Sequence, residues 1–308
     1  VVSKPDLLFD WTGRDILKKM KFGRFEIYPI SDGVLHLDGG AMFGIVPKVF
    51  WEKHHPPDAR NRIRLALGAL LIKAHGHTIL VDTGIGNKCS AKFCDIYGVE
   101  RRPTIEASLR KYQLSAEDIG LVINTHFHFD HAGGNTRTDD TGRIRPTFAK
   151  ATYFIQKGEW EAAMQPNERT KGSYLLENYE VLPDLATLDL LDGDAEILPG
   201  ISVMRTPGHT EHHQAVLIES EGRKAVFLGD LIPTATHIPL PYIMGYDVFP
   251  LTTLETKRAL LAQAFEEQWL LIFQHDPRVR MGVLKQDAGR LYLQEVDDDG
   301  QSIPNKNS

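Results

Sequence analysis

The reading turns on Thr125-His126-Phe127-His128-Phe129-Asp130-His131-Ala132-Gly133-Gly134. This stretch follows Leu121-Val122-Ile123, a short apolar run that reads as a buried strand, so the histidines fall on the loop at the strand's C-terminal end. Layered α/β proteins place ligands at such ends. Three imidazoles and a carboxylate within six residues are costly to bury, because their lone pairs need partners that a metal ion can satisfy together. The spacing divides the work. In an extended or turning segment His126 and His128 project to one side and can share an ion, while Asp130 and His131, past the bend, serve a second. Gly133 and Gly134 relieve crowding where the chain folds back and are expected to begin a helix.

Working outward, three other apolar runs end in a potential ligand. His209 lies in Thr206-Pro207-Gly208-His209-Thr210 after 201–203, Asp230 closes Phe227-Leu228-Gly229-Asp230, and His275 lies in Phe273-Gln274-His275-Asp276-Pro277. Taken singly, each reads as well as a turn or surface residue. Together with the first run they complete a ligand set for two divalent ions. Zinc suits imidazole and carboxylate ligands without a thiolate, and iron, manganese or cobalt fit nearly as well.

The remaining sequence mixes strands and helices along its length, which points to a layered α/β protein. Strands are expected at 25–27 and 34–37 around a turn at Asp32-Gly33, and at 65–72 and 78–81 around His75-Gly76-His77. Others are expected at 201–204, 214–218, 225–228, 270–273 and 291–293. Ile105, Leu109 and Tyr112 share a helical face, and 157–165 form another helix. Thr252-Thr253-Leu254-Glu255 has the form of a capping box, opening a helix that turns Leu261, Ala264, Phe265 and Trp269 to one side. No repeat or linker divides the chain. One domain is expected over 1–296, with an N-terminal extension at about 1–22 and a disordered tail at 297–308.

An apolar fraction of 42% and a charged fraction of 25% are those of an ordinary globular protein. A net charge of −6 argues against a nucleic-acid partner, which needs a basic face. No run approaches the roughly 20 apolar residues of a membrane span. The first residues lack a signal-peptide core, so cytoplasm is the default, although a start at Val1 rather than Met leaves processing open. Cys89 and Cys94 are too few for a disulfide framework and read as free thiols.

The H-x-H-x-D-H run, Pro207-Gly208-His209-Thr210, Gly229-Asp230 and Gln274-His275-Asp276 together resemble the metallo-β-lactamase superfamily, over about residues 25–293. The resemblance implies an αββα sandwich, two mixed β-sheets flanked by helices, with metals at one edge. It implies that His126, His128 and His209 bind one metal, that Asp130, His131 and His275 bind the other, and that Asp230 bridges them. Asp82, in Val81-Asp82-Thr83-Gly84, matches a carboxylate that orients a ligand histidine through its other ring nitrogen. His213 matches a further supporting histidine, although Glu211-His212 replace the family's usual Pro-Gly. The β-lactamases themselves tend to carry Cys where this chain has Asp230, which points away from drug degradation.

Within the superfamily, residues 37–44, Val46-Pro47-Lys48, Gly229-Asp230-Leu231-Ile232-Pro233 and 273–277 resemble the quorum-quenching N-acyl-homoserine lactonase branch. The expected activity is hydrolysis of a lactone or ester carbonyl by a metal-activated hydroxide, with Asp130 as the catalytic residue that orients the nucleophile or relays its proton. The partner is then a small-molecule substrate, with a homodimer left open. Met42, Phe43 and Trp51, in a segment bounded by Gly and Pro, are candidates for the pocket wall. His237 is a further candidate, and Tyr242 or Tyr246 is available where Pro233 replaces a tyrosine that some lactonases carry. His36, His54, His55, His75 and His77 read as structural or surface residues. Rival readings on the same metals are a thioester hydrolase of the glyoxalase II type and a phosphotriesterase. Acidic charge weakens a nuclease, and the full ligand set weakens a non-catalytic scaffold.

Overall fold

In the computed structural model, which describes residues 19–297 and 300–303, the two parts of the chain build two sheets. The first takes β1 (Met20–Phe22), β2 (Phe25–Asp38), β3 (Arg62–Ala74), β4 (His77–Val81) and β5 (Leu121–Ile123). A separate hairpin, β6 (Thr136–Thr138) with β7 (Ile144–Pro146), intervenes before β8 (Thr152–Gln156) and β9 (Thr187–Leu191) complete that sheet. β1 to β4 pair antiparallel, whereas β4, β5, β8 and β9 run parallel.

The second sheet holds β10 (Ala195–Leu198), β11 (Ile201–Arg205), β12 (Gln214–Ser220), β13 (Arg223–Phe227), β14 (Leu270–Ile272), β15 (Met281–Asp287) and β16 (Arg290–Glu295), side by side. Its one parallel pairing joins β13 to β14. The helices are α1 (Gly39–Phe43), α2 (Lys48–Trp51), α3 (Ala91–Tyr97), α4 (Ile105–Arg110), α5 (Phe129–Ala132), α6 (Lys157–Met164), α7 (Leu182–Leu185) and α8 (Pro250–Glu266).

Strand alternation makes the layers. Ile27, Leu70, Ile72, Ile79 and Val81 point inward and pack against Val203, Val216, Ile218, Phe227 and Ile272 of the facing sheet. Their neighbours Tyr28, Ala69, Leu71 and Leu80 point outward, beneath Ile105 and Leu109 of α4 and Ala163 of α6. On the other side Val226 and Leu271 lie under Leu260, Leu261 and Ala264 of α8. Strands covered on both faces read as continuous apolar runs, which is why 65–72 stands out in the sequence. The architecture is the expected αββα sandwich. Among the described residues no helix is long and apolar enough to cross a membrane.

Several local expectations are corrected. Asp32-Gly33 is not a turn: β2 passes through it with a shift of register against β3 between Ser31 and Val34. The reason is Asp32, fully buried, whose carboxylate accepts from the amides of Ile85, Gly86 and Ile105 and from the Arg101 guanidinium. The capping box at Thr252 does not form, because Pro250 with its fixed φ starts the helix two residues earlier and Thr253 Oγ1 bonds back to Phe249 O. Trp269 lies beyond the end of α8. Gly133 and Gly134 open a three-residue 3-10 helix, Gly133–Asn135, after α5 rather than a longer helix.

Residues 1–18 of the expected extension lie outside the described residues, whereas Met20 and Phe22 are buried in the core as part of β1. Of the expected tail, 298–299 and 304–308 lie outside them. Val296 and Ser302 form a β-bridge, and the Asp297 carboxylate accepts from Gln301 N, so this part folds back on itself. Cys89 and Cys94 are free thiols.

Asp32→Ala is expected to destabilise the protein by about 3–5 kcal/mol, because it orphans buried amides and a guanidinium at once. The measurement is urea unfolding, with a lowered midpoint at unchanged slope. A shift below about 1 kcal/mol would show that Asp32 does not anchor these loops.

Candidate metal centre

The ends of four strands meet at one edge of the sandwich. β5 leads to His126 and His128, and α5 follows at once with Asp130 and His131. β11, β13 and β14 deliver His209, Asp230 and His275 from the other sheet. All seven side chains are buried, the most exposed, His128 and Asp130, at 7%. Donor atoms from His126, His128 and His209 lie within 4.8 Å of one another, as do those of His126, His131 and Asp230, and of Asp130, His131 and His275. The turn that follows His131 needs its glycines: a Cβ on Gly133 or Gly134 would run into the backbone oxygens of Ile85 or Thr83.

Hydrogen bonds on the far side of each ring settle where its proton sits. His275 Nδ1 donates to Ala66 O (2.7 Å), and His131 Nδ1 donates to the Asp82 carboxylate (2.9 Å). Their Nε2 lone pairs therefore face each other across 3.2 Å. His209 Nδ1 donates to Asp247 Oδ1 (2.8 Å), which turns its Nε2 lone pair towards Asp230 Oδ2 at 3.1 Å and His128 Nδ1 at 3.0 Å. Thr125 Oγ1 donates to Asp82 Oδ2, so it accepts from His126 Nδ1, and His126 Nε2 is left buried without a partner. Asp230 Oδ1 likewise makes no hydrogen bond, 3.0 Å from His275 Nε2 and 3.4 Å from His131 Nε2. Acceptors aimed at acceptors repel unless a cation lies between them. The donor set fits divalent metal ions.

Electrostatics say the same. Burial works against a charge on His131, His209 and His275, yet the Asp230 carboxylate, with Asp130 or Asp247 beside it, outweighs burial and lifts all three above the ordinary histidine value. Asp230 shows the converse: burial would raise it, but the three rings hold it well below the usual carboxylate range. His126 and His128 are pushed down by burial and then by neighbouring histidines. The Asp230 carboxylate thus draws positive charge to the inward ring nitrogens, a demand that protons or a metal cation can meet.

Asp82 is placed to position the site. Its backbone has φ 54°, and its carboxylate takes the Thr125 amide, the Thr125 hydroxyl and the His131 ring. His213 accepts from the Asp230 amide (3.1 Å) and donates to Thr206 Oγ1, held neutral by burial at about 3. Two supports carried no recognisable signal in the sequence. Asp247 orients His209 from the loop before α8. Glu159 of α6, fully buried, accepts from Phe127 N, Tyr174 OH and Thr210 Oγ1, and so ties together the segments bearing His128 and His209.

Above the cluster lies a cleft of about 200 Å³. Leu37, Met42, Leu65, Phe129 and Met244 make its apolar wall, and Tyr97, Arg169, Ser173 and Tyr246 add polar groups. Of the residues expected in the pocket, Met42 and Tyr246 line it, whereas Phe43, Trp51, His237 and Tyr242 lie behind. Phe43 is sandwiched between Trp51 and His237, with ring centroids 5.3 and 4.5 Å away. His237 Nε2 donates to Met42 O. Tyr242 packs edge-on to Phe43. Stacking draws these rings into the core, so they support the wall without forming it.

Asp247→Asn is expected to weaken divalent-metal binding by about 10–100-fold, the usual cost of losing a group that orients a ligand histidine. Competition with a chromogenic chelator measures it. Unchanged affinity would mean that His209 needs no such support.

Known proteins place this arrangement. A profile of the Metallo-beta-lactamase superfamily matches residues 69–275, more than half of the chain. An N-acyl homoserine lactonase of Bacillus cereus is 32% identical over 178 residues, which are 54% of this chain and 64% of that relative, a little under two thirds of its length. A solved probable metal-dependent hydrolase from Staphylococcus aureus superposes with a TM-score of 0.82 at 34% identity, covering 90% of this chain and 99% of the other. The dizinc quorum-quenching lactonase AidC superposes with a TM-score of 0.76 over 91% of this chain and 97% of its own, a likeness of fold at 22% identity. With its strand-end histidines and aspartates on an αββα sandwich, this chain belongs to the metallo-β-lactamase superfamily.

Proposed function

We propose that the protein is a metal-dependent lactonase that opens lactone rings bearing an apolar arm. The observation that carries the reading is the convergence of buried lone pairs on a charge-deficient point at the floor of an apolar cleft. His126, His128 and His209 would hold one divalent ion, Asp130, His131 and His275 a second, and Asp230 would lie between them. Zinc suits these donors. When bound, such ions supply Lewis acidity toward a carbonyl and make water acidic enough to ionise near neutral pH.

The chain's own groups do the rest. Asp130 borders both the cluster of ligand side chains and the cleft, its carboxylate 3.6 Å from His275 Nε2 and 3.8 Å from His131 Nε2. It accepts the proton of the attacking water and returns it to the leaving alkoxide. Met42, Leu65, Phe129 and Met244 exclude bulk water and hold an apolar arm. Tyr97 and Tyr246 offer phenol donors from the rim, where a carbonyl oxygen can be held. No covalent intermediate is needed. The metal cluster does not itself choose among esters, thioesters and phosphotriesters, so choice falls to the cleft. Its apolar wall favours alkyl and acyl arms, and the Bacillus cereus relative is named for such a substrate.

A panel of lactones, glutathione thioesters, phosphotriesters and single-stranded RNA separates the readings. Acid release from γ-lactones is expected, with kcat/KM rising as the arm lengthens, by about tenfold for each 1.4 kcal/mol of added apolar contact. Rapid thioester or triester cleavage without acid release from any lactone would reassign the substrate. Asp230→Asn is expected to lower turnover by at least about 100-fold while leaving the circular dichroism spectrum intact. Unchanged turnover would make Asp230 an ordinary turn residue.

A further inference from the structure

Lys257 lies on the inward face of α8, in one stripe with Thr253, Leu260, Leu261 and Ala264, and is fully buried. Burial pushes its ammonium down to about 7, against the weaker pull of the Asp247 carboxylate. Its hydrogen bonds among the described residues go to two backbone carbonyls, Pro239 O and Tyr242 O, each at 2.9 Å. An apolar side chain would fill the same space at lower cost, so the two carbonyls are what the ammonium serves.

Those carbonyls belong to the turn Pro239-Leu240-Pro241-Tyr242, which is exposed on its outer side at Pro239 and Pro241. Two prolines leave the turn short of amide donors. Tyr242 N donates to Pro239 O and Ile243 N to Pro241 O, whereas Tyr242 O has Lys257 as its one donor among the described residues. Directly after the turn come Met244, in the wall of the cleft, and Tyr246, at its rim. Separate bonds hold the far end of this segment: Gly245 N donates to Ala41 O, and Arg169 Nη2 donates to Gly245 O and Asp247 O. Lys257 thus anchors the entry to the wall segment from beneath. The adjacent Thr256 does the same for the metal side, its Oγ1 donating to Pro207 O shortly before His209.

We infer that Lys257 is a positioning residue for the cleft: by clasping the 239–242 turn it sets where Met244 and Tyr246 stand, and so how well the cleft holds an apolar arm. Its substrate side rests on the lactonase reading above, and its structural side on the contacts of Lys257 alone. Lys257 acts through the wall and touches neither the metal ligands nor the scissile bond.

Hydrogen exchange in the metal-loaded protein reads the clasp directly. In Lys257→Met, which keeps the aliphatic stem, the amides of Tyr242 and Ile243 are expected to exchange at least about tenfold faster while those of β13 and β14 are unchanged. With γ-decalactone, which carries a hexyl arm, KM is expected to rise by about tenfold with kcat changed less than about twofold. With γ-butyrolactone, which has no arm, kcat/KM is expected to stay within about twofold of the unaltered protein. Competition with a chromogenic chelator is expected to show unchanged metal affinity, since Asp247 stays tied to Arg169 and to His209. Should Lys257→Met not fold, Lys257→Gln, which keeps a neutral donor, carries the same comparisons. Equal losses on the two lactones, weakened metal binding, or unchanged exchange at Tyr242 and Ile243 would overturn the assignment while leaving the lactonase reading intact. Failure of the unaltered protein to open either lactone would overturn that reading, and the exchange of Tyr242 and Ile243 would then decide the assignment alone.

Discussion

Buried lone pairs turned toward one another govern this structure. His131 and His275 give their Nδ1 protons to Asp82 and to Ala66 O, and His209 gives its own to Asp247, so every remaining nitrogen faces inward. Asp230 adds a carboxylate to the same point. An arrangement of this kind is tolerable in a protein interior only with cations present, and its outer partners make it rigid before any cation arrives. The fold serves this constraint. Two sheets place the ends of β5, β11, β13 and β14 at one edge, so ligands far apart in sequence meet without long loops.

That edge was largely legible in the sequence because its signals are local. His126 to His131 fall within six residues, and His209, Asp230 and His275 each follow an apolar run closely. The central strands were legible for a related reason, since burial on both faces leaves uninterrupted apolar runs. The short or half-exposed strands β8, β9, β10 and β15 lack such runs and leave no comparable signal. Asp32 misled for a physical reason: an Asp-Gly pair is an ordinary turn signal, and nothing nearby shows that its carboxylate is claimed by amides 53 to 73 residues away.

The cleft above the cluster was the least legible part. Segment 42–51 is apolar, but sequence does not say which apolar residue faces the cavity and which the core. Phe43 is captured by stacking with Trp51 and His237, while Met42 reaches the wall. The wall is completed by Leu65, Phe129, Met244 and Tyr246 from separate elements, and Arg169 reaches it from a loop with no motif of its own. Three-dimensional convergence of single residues leaves no pattern for a linear reading to find.

Two cations would complete the cluster, because seven donor side chains exceed what one tetrahedral ion accepts. Elemental analysis of protein purified without chelators, paired with its hydrolase activity, tests this most directly. The account predicts two divalent ions per chain and loss of activity as they are removed. Full activity with one ion, or with none, would contradict it.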